Sequence, residues 1–144
     1  TGNTGKGTQS YTGYTRDHAI TVDGKPVIPG SSDQAFRGDP SRYNPEELLL
    51  ASLSSCHMLW YLHFCAEAGI IVTQYADTAT GVMEETANGS GKFTCATLHP
   101  RVTVQHPGMI EKAIELHKKA NTMCFIANSC NFPVLHNPTC TAGT

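Results

Sequence analysis

The stretch Asn44-Pro45-Glu46-Glu47-Leu48-Leu49-Leu50-Ala51-Ser52-Leu53-Ser54-Ser55-Cys56-His57-Met58-Leu59-Trp60-Tyr61-Leu62-His63-Phe64-Cys65-Ala66-Glu67-Ala68-Gly69 organises the whole chain. Its first four residues are a helix start. Asn44 caps, Pro45 suits the first helical position, and Glu47 stands third, where its carboxylate reaches back to the cap. Gly69 is the natural stop. The helix predicted from Pro45 to Ala68 is about 24 residues and about 36 Å long. Its leucines, with Met58, Trp60 and Phe64, leave little polar face, so it is expected to be largely buried and to act as the hub of the fold.

On either side of it the pattern is extended. Tyr11, Ile20 and Val22, the turn Asp23-Gly24, and then Val27-Ile28 read as a β-hairpin over 9–28. A Gly-, Ser-, Asp- and Pro-rich loop from Pro29 to Tyr43 follows, long for a structureless connection. Beyond the helix, 70–85 and 92–105 are β-branched segments around Asn88-Gly89-Ser90-Gly91, a second hairpin. Pro107 opens a second helix, with Glu111 early and Lys118-Lys119 late to suit the dipole. Ala113, His117, Ala120 and Cys124 form one stripe on it if helical geometry reaches Cys124. Phe132-Pro133-Val134-Leu135 is an edge-strand candidate. The order predicts a single α+β domain over 1–144, helices packed on antiparallel sheet.

Composition narrows the function. Charged residues make up only 15% of the 144, ten basic against twelve acidic, and no basic run exceeds Lys118-Lys119. Nucleic acid is therefore not an expected partner, since phosphate neutralisation needs a basic stripe. Ser, His or Glu interrupts every apolar run, so no membrane span is expected. The opening residues show no basic, apolar leader. Thin charge with 40% hydrophobic residues points to a surface partly covered by another subunit. Six cysteines at 56, 65, 95, 124, 130 and 140 are too scattered for a secreted disulfide scaffold and read as thiols of a cytoplasmic protein. None makes a Cys-x-x-Cys, and no His-Glu-x-x-His or zinc-spaced doublet occurs, so no metal and no cofactor are expected.

Cys56 and Cys124 are each open to two readings. One is a small buried hydrophobe, the ordinary fate of cysteine in a core. The other is a nucleophile, which an apolar site would silence unless a cation stood beside it. A guanidinium about 4 Å from a thiolate, at an effective dielectric of about 20, is worth about 4 kcal/mol, or about 3 pKa units. A reactive thiol here therefore needs an arginine. Cys65, Cys95, Cys130 and Cys140 have no distinguishing neighbours and take the packing reading.

The block Asn44-Pro45-Glu46-Glu47-Leu48-Leu49 followed by Ser55-Cys56-His57-Met58-Leu59 resembles the OsmC/Ohr family of thiol peroxidases. Tyr14-Thr15-Arg16-Asp17-His18 resembles its arginine segment, and Ala120 through Cys124-Phe125-Ile126-Ala127-Asn128-Ser129 its second-cysteine helix. The resemblance implies an interlaced homodimer around long central helices that reduces organic hydroperoxides. It implies Cys56 as the peroxidatic thiol, Cys124 as the resolving thiol, Arg16 as the activating cation and Glu46 as its carboxylate partner. An external dithiol, of lipoyl type in the Ohr branch, would restore the thiols. Glu47 already has a capping task and Glu46 does not, which agrees with that choice of glutamate. His57, where the Ohr branch has an aromatic, places the chain nearer the OsmC branch. The strand that the family carries ahead of Gly2-Asn3-Thr4-Gly5 is missing, so the first strand is expected to be truncated.

Glu46 and Cys56 are ten residues apart, about 15 Å along a helix and on different faces. Either Arg16 bridges them or the Arg16–Glu46 pair comes from a second subunit. Arg42, just ahead of the helix, is a reserve cation. Two rival functions remain open on sequence. One is a Cys–His hydrolase or acyltransferase using His117 with Cys124, although no Gly-rich oxyanion turn flanks either cysteine. The other is a dimeric binding or scaffold protein whose thiols are idle.

Overall fold

The computed structural model describes residues 7–143 and resolves the chain into two compact units, Thr1–Leu49 and Leu50–Thr144. Gly2-Asn3-Thr4-Gly5, and with it the expected truncation of a first strand, lies outside the described residues.

In the first unit, β1 (His18–Ile20) and β2 (Ile28–Gly30) pair antiparallel, His18 opposite Gly30. The hairpin is real but much shorter than its sequence pattern, with Tyr11 outside it. The turn lies at Val22–Lys25, where the Lys25 N–H donates to the Val22 carbonyl at 3.1 Å and Gly24 takes φ 76°. Gly30 leaves room for the His18 ring opposite it, which a Cβ there would push aside. The loop after β2 is not structureless. Asp33 caps a 3-10 turn at Gln34–Phe36, and the Ser31 N–H donates to the Tyr43 carbonyl at 2.9 Å.

Helix α1 (Pro45–Glu67) starts and stops as its sequence dictates. The Glu47 N–H donates to Asn44 Oδ1 at 2.8 Å and the Asn44 N–H donates to Glu47 Oε1 at 3.1 Å, a complete capping box. At the other end Gly69 sits at φ 72°, and the N–H groups of Ile70 and Gly69 return to the carbonyls of Cys65 and Ala66, a Schellman closure.

The second unit holds six more strands: β3 (Val72–Ala76), β4 (Thr80–Glu85), β5 (Gly91–Leu98), β6 (Arg101–Val104), β7 (Val134–His136) and β8 (Thr139–Ala142). They form two three-stranded sheets, β3-β6-β8 and β4-β5-β7. Strands β3 and β4, β5 and β6, and β7 and β8 are consecutive pairs, each broken at one level, by Asp77–Ala79, His99-Pro100 and Asn137-Pro138. The two prolines cannot donate to a ladder, so the break is written into the sequence. Asp77 bridges it. Its carboxylate accepts the His99 N–H at 2.6 Å and the Ser54 hydroxyl of α1 at 2.5 Å, tying the fracture to the helix. Strands β7 and β8 pair parallel to β5 and β6, which corrects the purely antiparallel expectation. β8 has no counterpart in the sequence reading, and the expected second-cysteine helix is broken at Cys124 into α2 (Ile110–Met123) and a third short helix, α3 (Phe125–Asn128).

Helix α2 (Ile110–Met123) follows a 3-10 turn at Pro107–Met109. Its Ala113, Leu116 and Ala120 pack with Tyr61, Phe64 and Cys65 of α1 and with Val102 and Val104 of β6. Leu53 packs separately with Ala96 and Leu98 of β5. Within one chain the buried residues of α1 are Leu53, His57, Tyr61, Phe64 and Cys65, one stripe, whereas Leu59 is 62% exposed. One copy of the sheet and α2 covers one face only. By length and a mean hydropathy of 1.3 this helix would also suffice to cross a bilayer, contrary to the sequence reading, though its packed stripe is that of a core helix.

Removing the Asp77 carboxylate leaves the His99 N–H and the Ser54 hydroxyl without their acceptor, whereas removing the Asn44 side chain loses one exposed cap. We expect Asp77→Ala to destabilise the protein by about 2 kcal/mol and Asn44→Ala by about 1 kcal/mol, with the order read from urea unfolding midpoints. A larger loss for Asn44→Ala would contradict the role given to Asp77.

Candidate active site

Cys56 lies mid-way along α1 and is half-buried, while Cys124 lies at the end of α2 and is 1% exposed. Helical geometry stops at Met123. Cys124 itself is extended (φ −66°, ψ 112°) and serves at once as the C-cap of α2 and the N-cap of α3. It is nevertheless buried, as are Ala113, His117 and Ala120 before it. The Ala127 N–H donates to Cys124 Sγ at 3.4 Å, so the thiol occupies the place of a cap oxygen.

The two thiols are neighbours, near enough for Cys56 to act on Cys124, and both are free. Burial pushes the Cys124 thiol up to about 11, the Cys56 thiol beside it acts in the same direction, and the amides of Ala127 and Ile126 pull partly back. Cys124 is therefore protonated at neutral pH. Leu59 and Trp60 follow Cys56 by one helical turn. Phe125, next to Cys124, is 69% exposed and meets the Trp60 ring edge-on at 5.8 Å. The thiol pair thus borders exposed apolar surface.

The thiols are one rung of a ladder of polar contacts between α1 and the α2 segment. Tyr61 Oη donates to the Ala113 carbonyl at 3.0 Å, His57 Nε2 and His117 Nδ1 are 2.9 Å apart, and Cys56 is close enough to Cys124 to raise its thiol. The two imidazoles are 1% and 0% exposed and lie in one plane, 1° apart. Tyr61 stacks on His117 at 3.9 Å, and His136 of β7 stands 5.8 Å from His57. Burial lowers His57 to about 4, with His136 adding to the effect and Asp77 opposing it. Burial also lowers His117 to about 3, reinforced by His57 and His136. Sequence reasoning had placed His117 on the buried stripe and His57 only as a family variation. Their convergence with His136 was not legible, because the three come from α1, α2 and β7. Among the described residues no group of three or more His, Cys, Asp or Glu side chains is arranged to hold a metal ion.

The remaining candidates belong to the first unit. Arg16 is held by its own segment: Nη1 donates to the Tyr14 carbonyl and Nη2 to the Tyr11 carbonyl, both at 2.6 Å. Its guanidinium lies 3.8 Å over the Tyr14 ring and 4.6 Å over the Tyr11 ring. Arg42, the reserve cation, is committed to Asp17 and Asp39 and to the His18 carbonyl. Glu46 is half-buried in the first turn of α1 and plays no part in the capping box.

A family model described as OsmC-like protein matches residues 38–137. The chain belongs to the OsmC-like protein family. Among solved structures, an OsmC-like protein of unknown function from Vibrio cholerae is similar at 30% identity, covering 88% of this chain and 86% of that one, with a TM-score of 0.78. An organic hydroperoxide resistance protein from Elizabethkingia anophelis shares the fold at 22% identity and a TM-score of 0.68, covering 89% and 90%. The organic hydroperoxide resistance protein OhrB of Bacillus subtilis shares it at 18% and 0.55, covering 85% and 97%. No curated protein matches. The OsmC-like chain thus resembles proteins on both sides of the division that His57 suggested, and the two branches are not separated.

The imidazole pair in this OsmC-like chain makes stability depend on acid. Each ring has a folded pKa below its ordinary 6.5, so below that pH the unfolded state binds more protons and stability falls with pH. We expect the urea midpoint to hold above pH 6.5 and to fall between pH 6.5 and 4. The slope approaches about 1.4 kcal/mol per pH unit for each ring, and a flat profile would contradict the neutral pair.

Proposed function

We propose that this protein is a thiol-dependent peroxidase that reduces organic hydroperoxides to alcohols. The observation that carries the reading is the meeting of two free thiols from separate elements, Cys56 of α1 and Cys124 at the α2–α3 junction. Family membership supports the substrate class, since relatives of this fold are named for organic hydroperoxide resistance. The apolar residues beside the thiols, Leu53, Leu59 and Trp60 of α1 with Phe125 next to Cys124, support a peroxide with an organic tail.

In the proposed cycle the Cys56 thiolate attacks the terminal peroxide oxygen. The O–O bond breaks, the alkoxide leaves and takes a proton to become the alcohol, and Cys56 is oxidised to the sulfenic acid. Cys124 then gives up its proton and attacks the Cys56 sulfur. Hydroxide departs, is protonated to water, and the disulfide forms. An external dithiol, of lipoyl type, reduces it back and is itself oxidised. Arg16 is assigned the stabilisation of charge on the peroxide oxygens, and Glu46 the positioning of Arg16. Both assignments rest on the family resemblance. The working form is a cytoplasmic homodimer. The half-covered α1 supports it, because Leu59 at 62% exposure and Phe125 at 69% are surface a second copy can bury.

Intact-mass and peptide mapping after one equivalent of cumene hydroperoxide test the proposal. We expect a Cys56–Cys124 disulfide with Cys65, Cys95, Cys130 and Cys140 unchanged. Cys56→Ser should lose turnover altogether. Cys124→Ser should complete one turnover and then stall or over-oxidise, and sustained turnover by it would remove Cys124 from the cycle. Six unchanged thiols would leave a binding or scaffold protein with idle cysteines.

A further inference from the structure

Two neutral imidazoles carry two protons on four nitrogens. In the His57–His117 pair one proton lies between Nε2 of His57 and Nδ1 of His117, and the other must sit on an outer nitrogen of the accepting ring. Both outer nitrogens, His57 Nδ1 and His117 Nε2, are buried with no protein partner. The pair therefore has one bare outer nitrogen ready for a third proton, which charges a ring but leaves the central bond intact. A fourth proton has no place except the inner nitrogen. It would set two N–H groups against each other across 2.9 Å and put two cations side by side in a core.

The groups facing the pair do little to relieve this. From α1 there is the Tyr61 ring and from β7 His136, itself lowered by burial and by Lys118 of α2. Asp77, at the break between β3 and β4, acts in favour of charge on His57, but its carboxylate is already engaged by Ser54 and the His99 amide. The imidazole rung joins the same two elements as the thiol rung. His57 is next to Cys56 in α1, and His117 lies two turns before Cys124, both of them buried.

We propose that the His57–His117 bond is a proton-sensitive pin between α1 and α2, which holds Cys124 against Cys56 while the pair is neutral and releases it when the pair is fully protonated. His57 and His117 are thus positioning residues for disulfide closure. Acid leaves the first oxidation of Cys56 possible while it uncouples the second thiol. This consequence rests on the peroxidase reading above, whereas the pin itself does not.

Two measurements separate these layers. The protein has a single tryptophan, Trp60, whose ring contacts Phe125 next to Cys124 and, edge-on, His63 of its own helix, so with His63 replaced (H63Q) its emission reports the α1–α2 junction without any redox chemistry. In reduced H63Q protein, the background for every emission comparison, we expect a change in Trp60 emission on acidification at a pH above that at which far-UV circular dichroism is lost. Coincidence of the two transitions would overturn the pin, since release would then be ordinary unfolding. In the second measurement, Cys56 sulfenic acid formed with one equivalent of cumene hydroperoxide is allowed to partition between a dimedone adduct and the Cys56–Cys124 disulfide. The comparison is with H57Q/H117N, whose amides keep a donor and an acceptor near the two inner nitrogens but do not titrate. At pH 7 the two proteins should partition alike. At pH 3, where about half of the wild-type pairs carry both extra protons, the wild-type ratio of disulfide to adduct should be about half that of the variant, and the variant should lack the early Trp60 transition. Equal ratios at every pH would overturn the pin. Absence of both the dimedone adduct and the Cys56–Cys124 disulfide would overturn the peroxidase reading while the Trp60 comparison still decides the pin. Should H57Q/H117N not fold, the emission and dichroism transitions of H63Q decide it alone.

Discussion

The contact between α1 and α2 is the constraint on which the second unit depends. It combines an apolar interface with three polar rungs, Tyr61 to Ala113, His57 to His117, and Cys56 to Cys124. Apolar burial is large but non-directional, and would tolerate a small slide of one helix on the other. Buried polar groups do not, because each one displaced from its partner loses its hydrogen bond without regaining water. The rungs therefore specify one register, and that register brings two thiols together from residues 68 positions apart.

The same ladder sets the two thiols in different surroundings. Cys124 is buried, raised to about 11 and capped by the Ala127 amide, so it is closed to solvent and protonated. Cys56 is the more accessible partner. The difference follows from where each sits. Cys56 occupies the boundary between the packed and open faces of α1, whereas Cys124 occupies a junction where one helix must end and another begin. A junction needs its backbone donors satisfied, and the sulfur takes that task.

The sheet contributes by being broken. Asp77–Ala79, His99-Pro100 and Asn137-Pro138 interrupt three extended segments at one level. Asp77 recovers one lost ladder bond and fastens the break to Ser54, one turn from His57 on α1. Its charge also reaches the imidazole pair. Fold and site are in this way served by one carboxylate, which sequence inspection gave no reason to single out.

Local rules made much of this legible in the sequence. The Asn44–Glu47 capping box, the Gly69 stop, the hairpin turn at Asn88–Gly91 and the stripe ending at Cys124 are all settled by residues within a few positions of one another, so their energetics are present in the chain before it folds. The α+β class followed from their order, and the roles of Cys56, Cys124, Arg16 and Glu46 were suggested by family resemblance. What tertiary structure decided depends on residues that meet only across space. It made β7 and β8 parallel to their neighbours, left Leu59 uncovered, wrapped Arg16 in Tyr11 and Tyr14, and assembled His57, His117 and His136 around Tyr61. An apolar count along a helix shows that a face can be buried, but which face is covered depends on what packs against it. A histidine's protonation likewise depends on the solvent and charge around it, and these exist only once the chain has closed.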